Sequence, residues 1–265
     1  MTAGRSPLAF FLLVLVLAAP VWAMGGWLGV IGALRVPTSD LILAFTPMVA
    51  ALVLAGWREG WAGPASLLRS AFDITSVRRG RGWAATLLLP PLIYLTTWGL
   101  LRQLGSDAPI ADPNGLRLLL LFGLFLLLAA GEEVGWMGYA FGPLQQRWGP
   151  VGASVLIAIP WWIGHLPSMR AVGATASDIA WWLLGAFGLR IIMAWLYNRT
   201  GASLFAMVLF HALLNLSRIA IVPAVGAHYV SAYQATSYVA VAAVAAGLLW
   251  FTRGRLGAAS EARLP

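Results

Sequence analysis

Cysteine and lysine are both absent from these 265 residues, and charge of either sign is scarce. Without cysteine there is no disulfide, no thiolate nucleophile and no thiolate metal ligand. Charged residues make up 10% of the chain, against about 25% in ordinary soluble domains, too few to build a water-facing surface. The net charge of +8 is carried entirely by arginine. These arginines stand mostly singly or in short groups between apolar runs, without the basic patch that a nucleic-acid surface requires. Nucleic acid is therefore not an expected partner, and the lipid bilayer is.

What the chain does have is apolar length. Hydrophobic residues make up 60% of it, in continuous Leu- and Ala-rich runs near the roughly 20 residues that cross a bilayer as a helix. A β-barrel would instead show short alternating segments. The expected fold is an all-α integral membrane protein with about eight transmembrane helices in a bundle. The segments lie near 7–34, 41–57, 83–104, 116–147, 150–166, 179–197, 202–219 and 229–251. The stretch 58–81 is expected to be a basic loop, amphipathic in places and lying along the membrane surface. Gly152-Ala153-Ser154 and Gly201-Ala202-Ser203 each open a segment and read as small residues for close helix packing.

With eight spans, the termini and alternate loops share one side. That side holds eleven arginines: Arg5, Arg58, Arg69, Arg78, Arg79, Arg81, Arg147, Arg199, Arg253, Arg255 and Arg263. The other holds five: Arg35, Arg102, Arg117, Arg170 and Arg218. The excess predicts a multi-pass protein of the cell membrane with both termini in the cytoplasm.

Ionisable residues inside apolar segments are costly, about 2.5–3.5 kcal/mol each on insertion scales, so they are candidates for function. Here they are Glu132, Glu133, His165, Arg190 and His211, the last with Asn215 one helical turn on. Gly149-Pro150 makes an antiparallel hairpin of the helices carrying Glu132 and His165, which places both roughly 22–26 Å from the turn. His211 enters from the same side. One or two carboxylates, two imidazoles and an amide are enough for a general base, a water or metal binder and an oxyanion stabiliser. Spacing alone does not separate a protease from a proton-coupled transporter.

Three stretches resemble the motifs of the CAAX-protease and bacteriocin-processing family. Glu132-Glu133-Val134-Gly135-Trp136-Met137 resembles the first, in which an arginine follows the second glutamate by four positions. Trp161-Trp162-Ile163-Gly164-His165 resembles the second, an aromatic residue four before a histidine. His211-Ala212-Leu213-Leu214-Asn215 resembles the third. Gln146-Arg147-Trp148-Gly149-Pro150 and Asn198-Arg199-Thr200-Gly201 are similar too, so the resemblance covers roughly residues 115–220. It implies an eight-helix fold with a site opening toward the cytoplasm. Glu132, Glu133, His165, His211 and Asn215 would be its catalytic set, and the substrate a membrane-associated peptide or protein. The chain then divides into N-terminal helices with the basic loop (1–110), the catalytic core (111–220), and a last helix with a cytoplasmic tail (221–265), in an expected bacterial membrane. No cofactor is expected. Zinc is the disfavoured alternative, because there is no His-Glu-x-x-His pair.

Two positions depart from the family pattern. Trp161 stands where phenylalanine is common, which keeps an aromatic wall. Met137 stands at the arginine position, which removes the obvious counter-ion of Glu133. Adjacent helical residues project about 100° apart, so the expectation is Glu132 as base and Glu133 as structural partner. Either the chain is an inactive relative, a scaffold or immunity protein, or another cation takes over. Arg190, deep in its own apolar segment, is the candidate; its alternative is snorkelling to the interface.

Overall fold

A computed structural model describes residues 5–31, 36–79, 82–106, 114–221 and 232–258. Arg35, Arg81 and Arg263, and the start of the eighth predicted segment (229–231), lie outside the described residues. The helices are α1 (Pro7–Leu28), α2 (Thr38–Leu43), α3 (Thr46–Glu59), α4 (Ala62–Ala71), α5 (Trp83–Gln103), α6 (Gly115–Glu133), α7 (Gly142–Ala171), α8 (Ala176–Arg199), α9 (Leu204–Ile221) and α10 (Ala232–Thr252). A 3-10 turn covers Ile74–Arg79, and a π-helical segment, Val134–Phe141, joins α6 to α7. A two-residue antiparallel ladder, Val30–Ile31 with Val36–Pro37, precedes α2.

Seven helical stretches among the described residues are long and apolar enough to cross a membrane. One of them, Gly115–Ala171, is 57 residues long, far more than one crossing needs. It folds back on itself. The Trp161 indole donates to the Glu132 carboxylate at 2.5 Å across 29 residues, which a straight helix would hold about 43 Å apart. The reversal is at Gly149, whose φ of 69° and ψ of 173° break α7, a conformation that suits glycine. The hairpin read from Gly149-Pro150 is therefore present, the crossings among the described residues number eight, and the protein is an all-α multi-pass membrane protein.

Both described chain ends lie at one end of the bundle. Arg5 bonds Glu59 at 3.3 Å and the Gly138 carbonyl at 2.9 Å. Asn198 donates to the Leu256 carbonyl at 3.0 Å, and the Gly82 amide to the Arg199 carbonyl at 3.2 Å. This is the terminal end; the C-terminal ends of α1, α7 and α9 lie at the far end. The basic stretch between them is built as an amphipathic helix: Gly63, Leu67 and Ala71 recur every four residues of α4 and are buried, while Leu68 and Phe72 are exposed.

In the core, α9 packs against α5 and α6, and α8 against α7, α9 and α10. Of the two small-residue triplets, Ala153 and Ser154 are buried in α7, with the Ser154 hydroxyl 3.2 Å from the Arg190 carbonyl of α8. Ser203 acts differently. Its hydroxyl accepts from the Ala206 amide at the start of α9 and pairs with Ser76 at 2.7 Å, so that triplet caps a helix and ties it to the 3-10 turn.

The closest backbone approach sets the depth of the glutamates. A Cβ on Gly131 would sit 2.6 Å from the Ala44 carbonyl oxygen, and one on Gly135 2.5 Å from that of Pro47. Gly135→Ala should therefore lower the thermal midpoint in detergent, with overpacking costing about 1–3 kcal/mol. Gly123→Ala, on the same helix with nothing within 4 Å, should leave the midpoint unchanged or raise it.

Candidate active site

The sequence-predicted residues come together in the middle of the bundle. Glu132, His165, His211 and Asn215 line one cavity between α1, α2, α6, α7 and α9. Glu133 turns the other way and is wholly buried. One oxygen of Glu133 accepts from the Arg190 guanidinium at 2.7 Å, and the other lies 2.8 Å from His211 Nδ1. Arg190 is 1% exposed, so it does not snorkel. It supplies the cation that position 137 lacks, and Met137 is itself buried in the core.

Trp161 is more than a wall. Its ring lies under the Arg190 guanidinium, 4.1 Å from the ring centroid, while its N–H donates to Glu132. A phenylalanine could make the first contact and not the second. The His165 Nδ1 lies 2.8 Å from the Trp161 carbonyl, and its ring packs edge-on against Trp161 and Trp182.

Two groups in the cavity escaped the sequence reading. Asp40, at the start of α2, lines it and accepts a hydrogen bond from Ser168. Arg218, two turns beyond His211 on α9, lines it as well. Asp40 follows Thr38-Ser39 and reads as an interfacial helix start; Arg218 reads as a loop-proximal charge. Only packing reveals that both face inward. The π segment was equally invisible. Such segments are rare and recur at functional sites, and this one directly follows the glutamate pair.

The terminal side of the glutamate layer is packed with side chains. There the π segment fills the bundle, with Val134, Met137, Tyr139, Ala140 and Phe141 buried against Leu204, Met207 and Val208. The other walls, Trp22, Asp40, Trp182, Arg218 and Tyr238, extend from the glutamate layer toward the far end.

Glu132, Glu133 and His211 each offer a ligand atom within 4.8 Å of the others. They fit a metal poorly. Both Glu133 oxygens are engaged, one of them by a guanidinium that already neutralises it, and the bonded nitrogen of His211 is the one facing Glu133. A divalent cation would have to displace Arg190 from a buried pair.

A multi-pass helical protein with a carboxylate, two imidazoles and an amide around an intramembrane cavity defines a narrow class, and comparison with known proteins agrees. Residues 114–217 match the family model described as "Type II CAAX prenyl endopeptidase Rce1-like". A "CAAX prenyl protease 2" of Methanococcus maripaludis is 35% identical over 105 residues, covering 36% of this chain and 39% of that protein. Residues 114–217 are thus similar to the CAAX prenyl endopeptidases, and the chain spans about two fifths of the relative's length.

The Arg190–Glu133 pair gives a direct test. Arg190→Ala should leave a buried carboxylate with one partner, destabilise the protein by about 3–5 kcal/mol and lower its yield in membranes. Adding Met137→Arg should restore much of both, measured as yield and thermal midpoint. No rescue would mean that position 137 cannot reach Glu133 from the π segment.

Proposed function

We propose that the chain is an intramembrane endopeptidase resembling CAAX prenyl proteases, and that it hydrolyses a peptide bond with water activated by Glu132. The observation that carries this reading is the division of labour between the adjacent glutamates: Glu133 is locked by Arg190 and His211, while Glu132 faces the cavity and, among the described residues, accepts from Trp161 on one oxygen. Glu132 takes a proton from water, and the hydroxide attacks the peptide carbonyl carbon. His211 and His165 hold the water and the developing tetrahedral centre, Asn215 donates to the oxyanion, and the proton passes to the leaving amine. No step runs through a metal. The substrate is a membrane-associated peptide or protein.

The reading as an inactive scaffold or immunity protein rested on Met137 lacking a charge. The Arg190 guanidinium at Glu133 supports the active reading over it. A proton-coupled transporter would need a relay of exchangeable protons; a guanidinium clamped on Glu133 works against one.

Glu132→Ala, His165→Ala and His211→Ala should each abolish peptide cleavage in proteoliposomes while the protein still accumulates. Asn215→Ala should cost on the order of 10²–10³ in rate. Full cleavage by the Glu132→Ala protein would sink the mechanism.

We also propose that the terminal end is cytoplasmic, supported by the arginine excess, so that substrate reaches the cavity from the bilayer or the far face. The cysteine-free chain allows single cysteines to report this. Glu59→Cys should react with a membrane-impermeant thiol reagent in inverted vesicles and not in intact cells. The opposite pattern would reverse the topology.

A further inference from the structure

Arg218 is a cation in search of an anion. It lines the same cavity as Glu132 and His211, its Nε is buried without a hydrogen-bond partner, and among the described residues no carboxylate lies within ion-pair distance of it. The other anion of that end, Asp40, is engaged by the Ser168 hydroxyl. A guanidinium in a low-dielectric cavity with unused donors is costly unless a ligand completes it. Its planar donor fork suits a carboxylate.

The spacing says where that carboxylate belongs. Arg218 follows His211 by seven residues, two turns on the same helical face and about 10 Å along the axis. Asn215 and Leu214 between them line the cavity too. An extended peptide rises about 3.3 Å per residue, so a chain whose scissile bond lies at His211 and Asn215 brings a group about three residues away to Arg218.

We propose that Arg218 is a specificity-determining residue that binds a carboxylate of the substrate about three residues from the bond to be cut. This rests on the protease reading above. The carboxylate is either the free C-terminus of a short leaving peptide or an acidic side chain at that distance. Both present the same chemistry to the guanidinium, and Trp22, Leu41, Trp182 and Tyr238 provide the largely apolar surroundings that strengthen the contact.

The test uses the full chain in nanodiscs and a farnesylated peptide ending in a Cys-aliphatic-aliphatic-X sequence. It is made as the free acid, as the C-terminal amide, and as an amide with aspartate in the last position. Binding is measured on the Glu132→Ala protein, so that turnover does not intervene. The free acid, the aspartate amide or both should bind about tenfold or more tighter than the plain amide. Whichever binds tighter names the source of the carboxylate. Arg218→Gln in the same background should erase the difference, and Arg218→Lys should keep part of it, with the thermal midpoint confirming that both fold. Equal binding of all three peptides, or a preference that survives Arg218→Gln, overturns the proposal. Cleavage of the free acid by the unmodified chain is read separately. Its absence counts against the protease reading, while the binding comparison still decides the role of Arg218.

Discussion

The buried ion pair between Arg190 and Glu133 is the constraint around which the site is arranged. Neither charge is tolerable in the bilayer interior alone, and each is almost wholly removed from solvent. The pair therefore holds α8 against the junction of α6 and the π segment. His211 closes the other side of Glu133 and brings in α9, and the Trp161 ring lying on the guanidinium brings in α7. Four membrane segments are registered by one carboxylate and its partners. A buried pair of this kind adds little net stability over an apolar replacement, but breaking it is expensive; its contribution is to fix which residues meet.

That registration explains how two neighbouring glutamates come to differ. Helical geometry separates their directions by about 100°, so when Glu133 is held toward α8 and α9, Glu132 must face the cavity. The two departures from the family motifs then fit together. The cation sits on α8 instead of one turn along from Glu133, and it lies on the ring of Trp161, whose N–H holds Glu132. A single indole thus couples the counter-ion of Glu133 to the cavity-facing Glu132.

The cavity has a polarity of its own. Its floor is the π segment, packed tightly against the start of α9, and its walls run toward the far end, where Asp40 and Arg218 stand among tryptophans and tyrosines. Glu132, His165, His211 and Asn215 thus line one part of the cavity, and Asp40 and Arg218 line the part toward the far end. The lining comes both from the family-matched core and from α1, α2 and α5 outside it. The shape of the cavity is thereby partly set by helices that the family match does not cover.

Much of this was legible from sequence because it depends on local chemistry. Unbroken apolar runs declare membrane helices, since unsatisfied backbone groups are intolerable in lipid. Gly149-Pro150 declares a reversal, and the rise per residue then puts Glu132 and His165 at one depth. A lone arginine deep in an apolar segment calls for a carboxylate, which made Arg190 the candidate partner of Glu133. Other features depended on the packing of several helices at once. The π segment has no periodicity to betray it. Asp40 and Arg218 look interfacial until α2 and α9 are seen to turn them inward. Ser203 reads as a packing residue until the 3-10 turn arrives beside it. Which residues line the cavity depends on the packing of helices that are distant in sequence. The chain alone determined which residues could not stay in lipid unpaired; the tertiary structure decided with whom each was paired and which way the remaining space would face, because direction is a property of the assembled bundle and of no single helix.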